Sequence, residues 1–189
     1  AIKLRSKPIN DILKIKYIEH DGMESIYPNS NLLEVQYVIE ELDKIKQSGE
    51  KPTVGIITPH TNQVKLFWHE IRKQPNYDYY ELNLKLKVMT FDTCQGEERD
   101  IIFYSMVATN ENDKLWAIFI KNLDSVDLEE GGVIKAQRLN VGFSRAKECM
   151  HFVLSKPIEN FSGSIRDALA HYSSILNTTN DFPDVSETD

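Results

Sequence analysis

The stretch that decides the fold is KVMTFDTCQGEERDIIFYSMV, Lys87 to Val107. Its two apolar runs are rich in β-branched and aromatic residues, and LKVMTF and DIIFYSMV predict two buried strands. The nine residues 92–100 lie between the apolar runs and hold five formal charges, a glycine and a glutamine. Gly96 permits a tight turn or a close backbone approach, and the polar side chains offer hydrogen bonds to a ligand. A charged hairpin connection is the alternative interpretation of these residues.

The segments before this stretch alternate between helix and strand. NSNLLEVQYVIEELDKIKQSG predicts a helix with Asn31 as its N-cap, Glu34 at the third helical position and Gly49 as its stop. TVGIIT is an almost unbroken β-rich run, as expected of a central strand covered on both faces of a parallel sheet. A second helix is predicted directly after it, capped by Thr58 with Pro59 at its first position.

The segments after the stretch continue the alternation. Residues 135–147 predict a helix that leads into the strand CMHFVL, and residues 162–176 predict a closing helix at the edge of the domain. The polar residues 108–134 fit an irregular insertion. This order indicates an α/β fold with a mostly parallel sheet. Ligands of such sheets bind at the carboxyl ends of the strands, where we expect the loops after VGIIT and KVMTF and the turn near Arg145.

Composition limits the class of protein. The chain has 189 residues, 41% hydrophobic and 27% charged, which suits one globular domain. No apolar run approaches the length of a transmembrane helix and the first residues lack a signal-peptide core, so we expect a cytoplasmic protein with no membrane partner. Cys94 and Cys149 have no CxxC spacing, so neither a metal site nor a disulfide framework is indicated. Residues 179–189 are expected to form an acidic, disordered tail beyond a domain of residues 1–178.

The charge pattern bears on phosphate binding. A formal net charge of -7 argues against a broad basic surface for nucleic acid, although backbone N–H groups and hydroxyls in a channel can also hold phosphates. In the predicted helix 135–147, Arg138 and Arg145 lie two turns apart with Gly142 between them. A guanidinium in this position could clamp a phosphate, and a solvated amphipathic helix is the alternative. The phosphate-loop pattern GxxxxGK[ST] does not occur in the chain, nor does a strand-end acidic pair suited to Mg²⁺.

Three segments resemble, in sequence order, motifs IV, V and VI of superfamily-one helicases. They are VGIITPHTNQVKLF, VMTFDTCQGEERDIIFYSMV and QRLNVGFSRAKECMHFVL, and the resemblance is closest to the Upf-type branch that acts on RNA and DNA. There the corresponding patterns are ITPY-x-x-Q, VDxxQGxExDxII and RLNVALTRA. The resemblance implies the second, C-terminal RecA-like domain of a two-domain motor, a P-loop NTPase-type fold with helices on both faces of its sheet.

The resemblance also assigns roles to residues. It makes Arg145 the arginine finger that reaches the γ-phosphate of ATP, and Glu98 the acceptor of the nucleotide's ribose hydroxyl. ATP and Mg²⁺ would be bound mainly by the N-terminal RecA-like domain of the same parent chain, with single-stranded DNA or RNA as the other partner. The candidate site residues are Arg145 for catalysis, Lys65, Gln95, Gly96, Glu98 and Arg138 for the nucleotide, and Thr58, Pro59, His60, Thr90 and Asp92 for the nucleic acid.

The sequence departs from the family patterns at three places. Relatives often have an arginine near the motif IV glutamine, whereas Val64 and Lys65 follow Gln63, so Lys65 would supply a point charge. His60 replaces the usual tyrosine, and either stacks on a base or packs inside the domain. GFSRAK differs from ALTRAR but retains Arg145.

Two classes of function follow. The first is the C-terminal motor domain of an ATP-dependent helicase or translocase, inactive as an ATPase by itself. The second is a helicase-like domain without motor activity that docks nucleic acid or protein. A phosphate loop upstream in the parent chain would favour the motor. An unrelated nucleotide-binding α/β enzyme would not explain three such motifs in order.

Overall fold

A single sheet organises the part of the chain that the structure describes. The computed structural model describes residues 13–18, 26–107, 146–155, 166–167, 169–171 and 173–174. Within these residues the sheet is all-parallel, in the order β1-β5-β4-β2-β3. The strands are β1 (Leu13–Tyr17), β2 (Val54–Thr58), β3 (Lys87–Thr90), β4 (Arg99–Ser105) and β5 (Ala146–Leu154). The predicted parallel α/β class is therefore confirmed.

Three helices are described in full, α1 (Leu32–Ser48), α2 (Thr61–Ile71) and α3 (Tyr77–Leu82), and helical backbone recurs at 166–167, 169–171 and 173–174. The predicted ends of α1 are confirmed. The Asn31 side chain accepts a hydrogen bond from the Glu34 N–H, and Gly49 ends the helix in the left-handed conformation with φ 77°. None of the helices described is long and apolar enough to cross a bilayer.

The core lies on both faces of the sheet. Neighbouring residues of a strand point to opposite faces, so Ile56 and Ile57 of β2 belong to two different buried clusters. The Ile56 cluster contains residues of α1, α2 and α3, and the Ile57 cluster contains Leu169 of the closing helix. Helices thus cover both faces, as predicted. The closing helix was expected at the domain edge, but the fully buried Leu169 packs on a face of the sheet.

The charged connection in the opening stretch is not a hairpin. β3 and β4 both pair with β2, on its two opposite sides. Residues 91–98, the crossover segment, therefore pass across one face of β2. Parallel connections commonly use a helix and a dozen or more residues. This one is shorter, and it covers the sheet itself because Phe91 and Cys94 are buried in the Ile57 cluster.

The crossover segment joins opposite edges of the sheet. We call the edge at which the parallel strands end the carboxyl edge, and the other the amino edge. Thr90 pairs with Thr58 at the carboxyl edge, whereas Glu98 precedes β4 at the amino edge, roughly 20 Å away by strand rise. The expectation that all candidate loops gather at the carboxyl edge is therefore wrong for Glu98. The register of β4 on β2, which sequence patterns do not reveal, decides this.

Gly55 of β2 provides space on the face that the crossover segment covers. A Cβ atom at this position would lie 2.7 Å from Ile102 Cδ1 and 3.1 Å from Arg99 Cγ. The missing side chain therefore lets the first residues of β4 pack closely beside β2.

Two predicted boundaries are wrong. Thr58 is the last residue of β2, and α2 begins at Thr61 with His60 as an N-cap that makes no side-chain capping bond. Ala146 and Lys147 belong to β5 rather than to the predicted helix, because Ala146 pairs with Arg99 in the parallel ladder. Arg138, Arg145 and the rest of that helix, the insertion 108–134 and the tail 179–189 lie outside the described residues.

Candidate functional site

The carboxyl edge carries the turn that follows β3. The Thr90 N–H donates to Thr93 Oγ1 at 2.9 Å, and the Thr93 N–H donates to Thr90 Oγ1 at 3.2 Å. These reciprocal bonds close a tight turn, a role typical of threonine hydroxyls. Asp92 lies exposed within this turn. Thr90 and Asp92 thus lie on a short, hydrogen-bonded turn that solvent reaches.

The turn after β2 lies beside the turn after β3, because Thr58 and Thr90 are Cα partners in the sheet. Thr58 is fully buried, and its hydroxyl accepts from the His60 N–H at 3.4 Å. Pro59 is half-buried between them. The structure therefore brings the five candidate nucleic-acid residues to one edge, although the Thr58 side chain supports the turn rather than facing solvent.

His60 packs inside the domain. Only 8% of its surface is exposed, and burial lowers the pKa of its imidazole from 6.5 to about 4. The ring is consequently neutral near pH 7. Of the two interpretations of this position, packing fits the structure and base stacking does not.

Two adjacent glutamates at the amino edge differ in their environments. Glu97 accepts hydrogen bonds from Lys87 Nζ and from Arg99 Nη1, which hold the pKa of its carboxyl below the ordinary value. Glu98 is 56% exposed, and its Oε2 lies 3.9 Å from Lys147 Nζ. Glu97 therefore anchors the crossover segment to β3 and β4. Glu98, which the resemblance assigns to the ribose, has a carboxylate that a ligand can reach.

A clamp at the start of β4 sets the position of Glu98. The Thr53 N–H donates to Asp100 Oδ2, the Asp100 N–H donates to Thr53 Oγ1, both at 2.9 Å, and the Ile101 N–H donates to the Thr53 carbonyl at 3.0 Å. These three bonds fix the register of β4 against the segment before β2. Asp100, the last acid of QGEERD, is thus a structural residue of motif V.

The amino ends of β4 and β5 bring motifs V and VI together. Arg99, the residue after Glu98, pairs with Ala146, the residue after Arg145. Glu98 therefore directly precedes a residue that pairs with the first residue of β5. This register was not readable from the sequence.

Gln95 and Gly96 lie exposed in the crossover segment. Gly96 has φ 80°, a left-handed conformation that glycine adopts without strain, and among the described residues no atom beyond its chain neighbours lies within 4 Å of the position a Cβ would take. The glycine is needed for the backbone turn. The open space leaves this backbone accessible to a ligand.

Lys65 lies apart from the candidate nucleotide residues of the crossover segment. It is exposed on α2, which packs on the Ile56 face of the sheet, while the crossover segment lies on the opposite face. Its assignment to the nucleotide therefore stays a prediction from the resemblance.

Two residues outside the list of candidate site residues also belong to these groups. Thr93 closes the turn at the carboxyl edge, and its T-x-x-T spacing from Thr90 is a signal for such a turn. Lys147 lies near Glu98 only through the pairing of β5 with β4. No group of three or more potential metal ligands is found among the residues with described positions.

The comparisons with known proteins agree with the motif analysis. A family model described as "AAA domain" matches residues 7–156. The chain therefore belongs to this family. The predicted membership of the Upf-type branch of superfamily-one helicases, as a C-terminal RecA-like domain, is confirmed.

The individual relatives are distant. An "Uncharacterized ATP-dependent helicase MG140 homolog" of Mycoplasma pneumoniae is 27% identical over 164 residues, 81% of this chain and 14% of that protein. The "ATP-dependent helicase NAM7" of Saccharomyces cerevisiae is 29% identical over 131 residues, 67% of this chain and 12% of that protein. The chain thus spans about one seventh or less of these relatives. A solved C-terminal domain of a "possible DNA helicase" from Lactobacillus plantarum gives a TM-score of 0.45 at 13% identity, covering 77% of this chain and 74% of that one.

Proposed function

We propose that this chain is the C-terminal motor domain of an ATP-dependent helicase or translocase of single-stranded DNA or RNA. The observation that carries the proposal is the crossover segment, which joins the turn with Thr90 and Asp92 at the carboxyl edge to Glu98 at the amino edge. One short segment thus links the candidate nucleic-acid contacts to the candidate nucleotide contact.

The residues at the amino edge fit a nucleotide. The reachable Glu98 carboxylate suits a ribose hydroxyl, and Lys147 beside it adds a cation near the phosphate path. We assign Arg145 the stabilisation of negative charge that develops on the γ-phosphate. ATP with Mg²⁺, when bound mainly by an N-terminal RecA-like domain with a phosphate loop, supplies the free energy of hydrolysis.

Each edge then has a defined task. Gln95 and Gly96 present polar and backbone groups beside Glu98, and Glu98 orients the nucleotide. Thr90, Asp92 and the turn at Pro59 contact the sugar-phosphate backbone, which positions a strand without reading its sequence. Closure of the two RecA-like domains on ATP would move the nucleotide contacts and the nucleic-acid contacts together. The reason is that Glu97 and the hydrogen bonds between Thr53 and Asp100 attach the crossover segment to the sheet.

The test is ATP hydrolysis by the full-length protein that contains this chain. We expect single-stranded DNA or RNA to stimulate its ATPase, and the 189-residue chain alone to show no turnover, because it has no phosphate loop. DNA and RNA of equal length and sequence should be compared. Robust turnover by the purified chain would contradict the proposal. If the full-length protein binds single-stranded nucleic acid but hydrolyses no ATP, the alternative of a helicase-like docking domain without motor activity would be favoured.

The two glutamates allow a matched test of the nucleotide contact. Glu98→Gln in the full-length protein should raise the KM for ATP by about tenfold, because a neutral amide oxygen replaces the charged acceptor of the ribose hydroxyl. Glu97→Gln should change this KM little, since Glu97 bonds to Lys87 and Arg99 and the amide oxygen of the new side chain can still accept from both. Steady-state kinetics at saturating single strand measures both. An equal rise for both variants would show that the loop's shape matters rather than the Glu98 carboxylate.

A further inference from the structure

A buried polar network joins the ends of four elements at the carboxyl edge. Glu34, in the first turn of α1, is fully buried. Its carboxylate accepts from Ser105 Oγ at 2.9 Å and the Val107 N–H at 3.1 Å after β4, and from Ser155 Oγ at 2.5 Å after β5. Gln63 of α2 in turn donates to Ser105 Oγ at 3.0 Å. Ser105 is therefore the bridge between Gln63 and Glu34.

The chemistry of each group fixes the direction of these bonds. The Glu34 carboxylate is the acceptor, so Ser105 gives its single proton to Glu34 and accepts from the Gln63 amide nitrogen. The Gln63 amide oxygen is then turned to the Asn31 N–H, which lies 2.9 Å away. The Gln63 amide nitrogen also donates to the Asn31 carbonyl at 3.2 Å, so Gln63 links the start of α1 to Ser105 at the end of β4.

Glu34 does not act as an ordinary helix cap. An acid at the third helical position commonly reaches back to the N–H of the N-cap residue. Here Gln63 takes the Asn31 N–H, and Glu34 turns inward under the sheet edge. Burial of a carboxylate is costly unless donors satisfy it. The network therefore holds the start of α2 to the ends of β4 and β5.

The network also holds an unusual backbone. Val107 has φ 50°, a left-handed conformation that β-branched residues rarely adopt, and its N–H donates to Glu34. Such strain persists only where the surroundings enforce it. Val107 is the last described residue before 108–145, the segment whose sequence contains Arg138 and Arg145. At the network's other end, the N–H of Gln63 donates to the His60 carbonyl at 3.1 Å.

We propose that Gln63, Ser105 and Glu34 are positioning residues that couple the turn at 58–60, the proposed contact for nucleic acid, to the end of β4. Nucleic acid held at this turn would shift the start of α2, and the Ser105 bridge would pass that shift to β4, the strand that Glu98 precedes at the amino edge. This inference rests on the proposed function and adds how nucleic acid stimulates the ATPase.

Two serines provide a matched test in the full-length protein. Ser105→Ala removes the bridge to Gln63, whereas Ser155→Ala removes a hydroxyl donor to the same carboxylate but leaves the bridge intact. The readout is the ratio of the strand-stimulated to the basal ATPase rate. Both rates scale with the folded fraction, so loss of stability alone does not change the ratio.

We expect Ser105→Ala to lower this ratio at saturating strand by about fivefold or more, and Ser155→Ala to change it less than about twofold. Gln63→Leu removes the same hydrogen bond from the α2 side, and it replaces Ser105→Ala in the test if that variant does not fold. The Ser105→Ala and Gln63→Leu effects should not multiply in the double variant. Equal effects of both serine variants overturn this inference alone. A wild-type ATPase that no single strand stimulates overturns the proposed function and this inference with it.

Discussion

Replacement of Arg145 by alanine in the full-length protein should lower the strand-stimulated ATPase rate by a factor on the order of 10³ or more. An arginine finger stabilises charge that appears on the transferred phosphoryl group, so its loss acts on kcat. Single-strand affinity should stay nearly unchanged, because the proposed strand contacts lie on the turns after β2 and β3. Steady-state ATPase and strand titration measure the two effects separately.

Two further variants make this test specific. Arg145→Lys keeps the charge but loses the planar fork of the guanidinium, so it should restore little of the rate. Arg72→Ala removes an exposed arginine that lies over the Trp68 ring on α2, 5.4 Å from its centroid, and should leave the ATPase rate unchanged. ATPase near the wild-type rate in Arg145→Ala would show that another group stabilises the γ-phosphate.

Local signals were sufficient for several elements. The cap at Asn31 and the stop at Gly49 fixed both ends of α1, because each depends on one residue and its own backbone. The run at β2 correctly predicted a strand buried on both faces. β1, Leu13–Tyr17, was not predicted, although LKIKY alternates apolar and polar residues. α3 was also missed, because it has six residues and no side-chain cap.

Non-local pairing determines what the sequence did not reveal. The resemblance assigned the two ends of motif V to different ligands, but only the pairing of β3 and β4 with opposite sides of β2 reveals that these ends lie at opposite edges. The sequence assigned Glu34 only to the third position of α1, and the tertiary fold places its carboxylate against Ser105 and Ser155. The identities of site residues follow from the motifs. Their grouping depends on strand register, which patterns within one strand do not encode.

The free energy of unfolding of the chain should fall markedly as the pH drops from about 7 towards 4. His60 and His151 are both nearly fully buried, and burial lowers the pKa of each from 6.5 to about 4. Between these values the unfolded chain binds protons that the folded chain does not, so stability rises with pH in this window. Each histidine contributes up to about 1.4 kcal/mol per pH unit, or roughly 3 kcal/mol across the window.

Urea denaturation at several pH values measures this dependence. The double variant His60→Asn, His151→Gln should lose most of the slope between pH 6.5 and 4.5, because neither new side chain titrates there. His69→Gln is the control, since His69 lies exposed on α2 and pairs with Glu70 at 3.1 Å. The same slope in wild type and double variant would mean that both imidazoles reach solvent. Base stacking by His60 would then regain support, because packing and stacking at this position require opposite exposures of one ring.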